Sequence, residues 1–184
     1  MIRHAPGLAL CTLLIASGTV QAAPKNARLH AFEARLEANP SATAVLQTWC
    51  DAHAPAGTRI IARQVQPAPL APPEAARRAL AIKPGEAVRY RRVQLMCGDR
   101  ILSNADNWYL PGKLTGAMND MLDHSQTPFG KAVSALHFSR HNLETRYLPP
   151  GGPDVLRHSA VLTTDKGEPF SFVVETYTSE ILGN

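Results

Sequence analysis

Val88-Arg89-Tyr90-Arg91-Arg92-Val93-Gln94-Leu95-Met96 (VRYRRVQLM), a tight turn marked by Asp99, and Ile101–Leu110 (ILSNADNWYL) read together as an antiparallel hairpin. Each run is rich in β-branched, aromatic and long apolar residues and is bounded by turn formers, which is the strand pattern. The C-terminal end repeats the arrangement. Val155–Thr163, the turn Asp165-Lys166-Gly167 and Phe170–Ser179 make a second hairpin. Thr58–Gln66 (TRIIARQVQ) reads as a further strand, and Leu136–Leu148 as an extended stretch with a bend.

Helical spacing lies mostly in the first half. Leu29, Phe32 and Leu36 recur on one face of a helix from Asn26 to about Ala38, which Asn39-Pro40 stops. Ser41 can cap the next helix, whose face carries Val45, Leu46, Trp49, Cys50 and His53 and which ends near Pro55-Ala56-Gly57. A connector with Pro67, Pro69, Pro72 and Pro73 leads to an Ala-rich helix over Glu74–Ala81. Thr115 is a candidate cap for a helix presenting Leu114, Met118, Met121 and Leu122, and Gln126–Gly130 reads as a rigid loop. Early helices followed by hairpins give an α+β class with an antiparallel sheet.

Composition narrows the function classes. The chain has 184 residues, of which 45% are hydrophobic and 18% charged, enough for one domain with a real core. Lys and Arg exceed Asp and Glu by 19 to 15, and no basic run concentrates that charge. A nucleic-acid partner, which wants a basic stripe, is therefore not indicated, whereas a small anionic ligand suits the mild positive balance. Residues 1–22 read as a secretory signal: Arg3 and His4, the apolar Leu8–Ile15, and the small-x-small end Val20-Gln21-Ala22. The apolar stretch is too short to span a membrane. Leu10 before Cys11 does not fit a lipid-anchored signal. The reading is export to the periplasm with cleavage after Ala22, leaving a domain over 23–184. Cys50 and Cys97 then remain in an oxidising compartment, and both a disulfide and two free buried thiols are open to them.

Two charges stand where strand alternation expects core. One face of the first hairpin strand carries Val88, Tyr90, Arg92, Gln94 and Met96; one face of the last carries Ser171, Val173, Glu175 and Tyr177. A buried charge is costly unless paired. Arg92 and Glu175 could form a structural ion pair, could line a cavity that holds a polar ligand, or could lie on a solvated sheet face. Other candidate chemistry is thin. His137-x-x-x-His141 has metal-ligand spacing only on a helix, and its surroundings read as extended. Ser103 and Ser159 lack a nucleophile-elbow context, Cys50 and Cys97 have no nearby base, and Gly151-Gly152 sits among prolines with no following helix.

The stretch Glu86–Gly130 resembles bacterial chorismate lyase, the chorismate pyruvate-lyase of ubiquinone biosynthesis. The carrying segments are Arg89–Cys97 (RYRRVQLMC), Asn107–Pro111 (NWYLP) and Thr127–Gly130 (TPFG), joined by Arg157-His158-Ser159, Phe172–Glu175 and Leu46–Cys50. Ala81–Glu86 (AIKPGE) is similar to the wider superfamily that includes the effector-binding domains of GntR-type regulators. The resemblance implies an antiparallel sheet of about six strands, helices packed on one side, and two helix-turn flaps over a buried site. It places the family's catalytic arginine on Arg92 and its catalytic glutamate on Glu175, and ligand-contacting backbone amides on Phe129 and Trp49. Near Trp49 this chain reads Thr-Trp-Cys where the family more often has Ser-x-Thr.

The implied activity is elimination of pyruvate from chorismate to give 4-hydroxybenzoate. Arg92 would grip a carboxylate with a planar fork, and Glu175 would serve as general acid toward the ether oxygen. Aromatisation drives the reaction, so no metal or organic cofactor is called for. The implied protein is a monomer acting on a small anionic substrate, with no nucleic-acid partner and no membrane span. Export sits uneasily with a substrate made in the cytoplasm, so the alternative is a periplasmic binding protein for a small aromatic carboxylate, without turnover.

Overall fold

The computed structural model describes residues 24–65 and 68–183. The expected secretory signal and its cleavage site fall outside these residues. Six strands, β1 (Ile60–Val65), β2 (Arg89–Cys97), β3 (Arg100–Tyr109), β4 (Ser139–Tyr147), β5 (Asp154–Thr163) and β6 (Pro169–Thr178), form one sheet in the order β1-β2-β3-β6-β5-β4. Every pairing is antiparallel. The two hairpins read from sequence are β2–β3 and β5–β6. They join through the β3–β6 ladder, in which Ala105 faces Glu175 and Asn107 faces Val173.

The helices are α1 (Lys25–Glu37), α2 (Ala42–His53), α3 (Glu74–Ala79), α4 (Gly116–His124) and α5 (Phe129–Ala132). Ser41 caps α2 by accepting from the Ala44 amide, and Thr115 caps α4 by accepting from the Met118 amide. The expected loop at Gln126–Gly130 instead ends in α5: Pro128 leads in and its carbonyl accepts from the Lys131 and Ala132 amides.

Helices α1 and α2 cover one face of the sheet. Phe32, Leu36, Leu46 and Trp49 pack there against Ala62, Leu95, Ala160 and Tyr177. A second cluster seats Met118 and Leu122 of α4 and Ala132 of α5 on Tyr109 and Leu162. This is the α+β architecture expected, with one addition. Helix α3 covers part of the other face, setting Ala76 and Leu80 against Trp108, Phe172 and Val174. Strand alternation therefore meets a packed layer on both sides.

Cys50 of α2 and Cys97 of β2 form a disulfide with Cα atoms 5.7 Å apart. It pins α2 to the inner face of the sheet. No helix among the described residues is long and apolar enough to cross a membrane.

Candidate functional site: a cavity between sheet and helices

Between the inner sheet face and the starts of α2 and α5 lies a cavity of about 50 Å³. Its polar lining is Arg91 from β2, Asn107 from β3, Arg140 from β4 and Glu175 from β6, with Val93, Ala105 and Val173 between them. Pro40–Thr43 and Phe129-Gly130 roof it, and Phe138 closes one side.

The expected convergence of Arg92 and Glu175 is corrected here. Glu175 lines the cavity, but Arg92 points to the opposite sheet face. There it lies 3.7 Å from Asp106, its cross-strand partner, with 41% of its side chain exposed. Arg91 occupies the inner position instead. The physical reason is parity. Val93, Leu95 and Cys97 pack under α2, and Arg91 shares their phase. Tyr90 and Val88, in Arg92's phase, pack with the layer under α3. Met96 is buried as well, beside a register shift between Leu95 and Met96, so apolar residues mark both faces of β2. The disulfide partner of Cys97 was the signal that could have chosen between them.

Arg91 is 8% exposed and has no carboxylate within ion-pair distance among the described residues. Its Nε donates to the Leu122 carbonyl and one terminal nitrogen to the Thr127 carbonyl, each at 3.1 Å. Desolvation lowers its pKa from the ordinary guanidinium value. This is a buried cation held in place by neutral groups.

Glu175 is ion-paired as well as cavity-lining, but with Arg140 rather than Arg92. Arg140 donates to its Oε2 at 2.7 Å, with 5% and 7% of the two side chains exposed. Tyr177 donates to the same oxygen at 2.9 Å. Oε1 takes part in neither bond. Burial opposes the charge on Arg140, but the adjacent carboxylate outweighs it and raises the Arg140 pKa. Burial, reinforced by Glu175, pushes the Tyr177 hydroxyl well above its usual range, so it stays a donor. His158, the cross-strand neighbour of Glu175, is fully buried, and desolvation lowers its pKa. Its Nε2 meets the Thr145 hydroxyl at 2.8 Å, and its Nδ1 has no partner among the described residues.

Phe129 stands at the cavity, in the first turn of α5. Trp49 does not line it. Its indole N–H donates to the Ile181 carbonyl at 2.8 Å and its ring stacks on His53. Its amide falls mid-helix, where α-helical bonding consumes it. The start of α2 is what reaches the cavity. Ser41 takes the Ala44 and Val45 amides, while Ala42 and Thr43, both at the cavity wall, belong to the turn whose N–H groups lack intrahelical acceptors. His137 and His141 do not form a ligand pair. His137 is left-handed at φ 47° between helical turn and strand, and His141 meets the Thr163 hydroxyl at 3.1 Å.

The cavity therefore sets two buried guanidiniums against one carboxylate, with helix-start amides in its roof. That balance suits an anion.

No family model matches the chain. Two solved structures of PhnF from Mycobacterium smegmatis share the fold. Its effector domain superposes with TM-score 0.56 at 10% identity, covering 77% of this chain and 90% of that one. The PhnF structure gives 0.55 at 10% identity, covering 76% and 64%. YydK of Bacillus subtilis, described as a possible transcriptional regulator, gives 0.50 at 15% identity; the match covers 68% of this chain and 60% of YydK. The sheet and its helices thus have the fold of regulator effector-binding domains, the chorismate lyase-like fold. In sequence, the uncharacterized protein y4mC of Sinorhizobium fredii is 41% identical over 179 residues, covering 84% of this chain and 75% of the relative. At that identity and coverage, the chain belongs to the same family as y4mC.

Proposed function

We propose that the protein binds a small cyclic carboxylate in this cavity. The observation that carries the reading is Arg91: a cation 8% exposed, facing a cavity, with no carboxylate partner among the described residues. Burying such a charge is costly, and an anionic ligand offsets the cost. Arg91 supplies part of a planar fork, the first-turn amides of α2 add donors without adding charge, and Val93, Ala105 and Val173 give an apolar floor for a ring. The PhnF effector domain among the fold relatives supports a small-molecule role. Export of the chain is part of the same proposal, and the Cys50–Cys97 disulfide supports it, since such bonds persist in oxidising compartments.

The cavity has a volume of about 50 Å³. It is far below the ~150 Å³ that admits benzene. Phe138 and Gly130 stand between it and an outer groove of about 670 Å³ that they also line. Movement of Phe138 away from Gly130 would open a ring-sized space.

A second reading, elimination of pyruvate from chorismate, is favoured by one observation. Glu175 presents an oxygen, Oε1, used by neither Arg140 nor Tyr177. The elimination breaks the ring carbon–ether oxygen bond, removes a proton from the neighbouring ring carbon, and returns a proton to the departing enolpyruvate as it becomes pyruvate. One carboxylate able to take and give that proton would serve.

Calorimetric titration with 4-hydroxybenzoate tests the binding reading. Binding to the wild type, weakened at least ~100-fold in Arg91→Met and unchanged in Arg92→Met, is the expected result. Undiminished affinity in Arg91→Met would overturn it. A pyruvate-coupled assay on chorismate tests the elimination, with Glu175→Gln expected to lower turnover by ~10²–10⁴-fold.

A further inference from the structure

Asn107 is 6% exposed, lines the cavity, and is the cross-strand neighbour of Arg91. Its Oδ1 accepts a 2.8 Å hydrogen bond from Ser171 Oγ, a hydroxyl with no solvent exposure. In this structure the amide is turned with Oδ1 toward Ser171. With Oδ1 committed to Ser171, the Nδ2 group carries the two N–H donors, and among the described residues it donates to no protein acceptor. Arg91 next to it is donor-only, and two of its nitrogens are already committed to the Leu122 and Thr127 carbonyls. Arg91 and Asn107 therefore offer donors to the cavity from two neighbouring strands.

We propose that Asn107, oriented by Ser171, is a specificity-determining residue that restricts the Arg91 end of the cavity to an acceptor-only group. The ligand class is a planar carboxylate, and the isosteric carboxamide is excluded. The inference rests on the proposed seat for a carboxylate at Arg91. One carboxylate oxygen meets the remaining Arg91 N–H groups and the other meets Asn107 Nδ2. A carboxamide of the same shape would turn its own NH₂ toward a donor, leaving both buried and unpaired. Sites built around buried polar partners reject such analogues strongly. Ser171 touches no ligand in this arrangement; it acts by donating to Asn107 Oδ1, with Nδ2 left toward the cavity.

The test compares 4-hydroxybenzoate with 4-hydroxybenzamide by calorimetry on the full chain, with thermal melts alongside. The wild type should prefer the acid by at least ~100-fold. Ser171→Ala frees the amide to turn Oδ1 inward, so the acid-to-amide ratio should fall by ~10-fold or more while acid affinity changes little. Asn107→Leu removes the donor without adding a charge and should also lower the acid-to-amide ratio by ~10-fold or more; it keeps the inference testable should Ser171→Ala fold poorly. A wild type that binds the acid, with a ratio unmoved in both variants, overturns this inference and leaves the carboxylate site standing. A wild type that binds neither compound overturns both.

Discussion

The Arg140–Glu175 pair allows the sharpest test of how the site is built. Both side chains are almost fully enclosed, at 5% and 7% exposure and 2.7 Å apart. Replacing Arg140 with Met leaves the Glu175 carboxylate buried with only the Tyr177 hydroxyl, and breaking a buried pair in this way costs about 3–5 kcal/mol. For a domain of this size, each kcal/mol moves the melting temperature by about 2–4 °C, so Arg140→Met should melt about 10 °C lower. Glu175→Gln strands the Arg140 cation at a similar cost. The double variant, Arg140→Met with Glu175→Gln, removes both charges, and the Gln carbonyl can still accept from Tyr177. Its loss should be no more than about 2 kcal/mol, giving a coupling of several kcal/mol in the double-mutant cycle. Arg92→Met is the control. At 41% exposure and 3.7 Å from Asp106, that pair should contribute less than about 1 kcal/mol. Urea unfolding followed by tryptophan fluorescence reads all four variants. Additive single-variant losses, or an Arg92→Met loss equal to that of Arg140→Met, would refute this account of the charges.

Reduction of the Cys50–Cys97 bond, or its replacement by serines, should lower stability by about 4 kcal/mol. A sequence separation of 47 residues sets that figure through the chain entropy released in the unfolded state; urea midpoints with and without reductant check it, and coincident curves would contradict it. His158 should make stability pH-dependent. Its folded-state pKa is depressed by burial, so the unfolded chain binds the proton first. Its contribution is complete above about pH 6.5 and is lost as pH falls from there through the folded value, with a slope of up to about 1.4 kcal/mol per pH unit. His158→Gln should flatten the urea-midpoint profile between pH 4.5 and 7, and an unchanged slope would count against the assignment.

Much of the frame was legible because local chemistry and global fold agree. Ser41 and Thr115 cap the helices their positions announce, and both hairpins form where turn residues interrupt apolar runs. Glu175 was legible for a further reason: Val173 and Tyr177 share its phase and are buried with it. Arg91 was not, because β2 is covered on both faces. Periodicity reports that two faces differ, and here it could not say which one borders the cavity. Arg140 was hidden by its surroundings. Strand β4 is an edge strand whose residues are mostly exposed, and the ladder position that tucks Arg140 under Phe138 and against Glu175 depends on pairing with β5. Asn107 was legible as part of a strand but not as a ligand-facing group, since its orientation comes from Ser171, 64 residues away in sequence.

The distribution of charge in the cavity follows from the way the sheet is assembled. Arg91 and Asn107 come from the first hairpin, and Glu175 comes from the second. The β3–β6 ladder that joins the hairpins puts the Asn107 row two residues from the Glu175 row. At about 3.4 Å per residue along a strand and about 4.8 Å between strands, the Cα atoms of Arg91 and Glu175 stand about 12 Å apart. The Arg91 end of the cavity is therefore cationic. The other end holds a neutralised ion pair with one free carboxylate oxygen. A structural salt bridge spanning the cavity would have cancelled this asymmetry, and the parity of β2 prevents it by turning Arg92 outward. What remains is a fold that keeps one guanidinium buried with no carboxylate partner among the described residues, at a cost to its own stability. In the proposed function a ligand offsets that cost by bringing its negative charge to Arg91 and a polar group to Glu175.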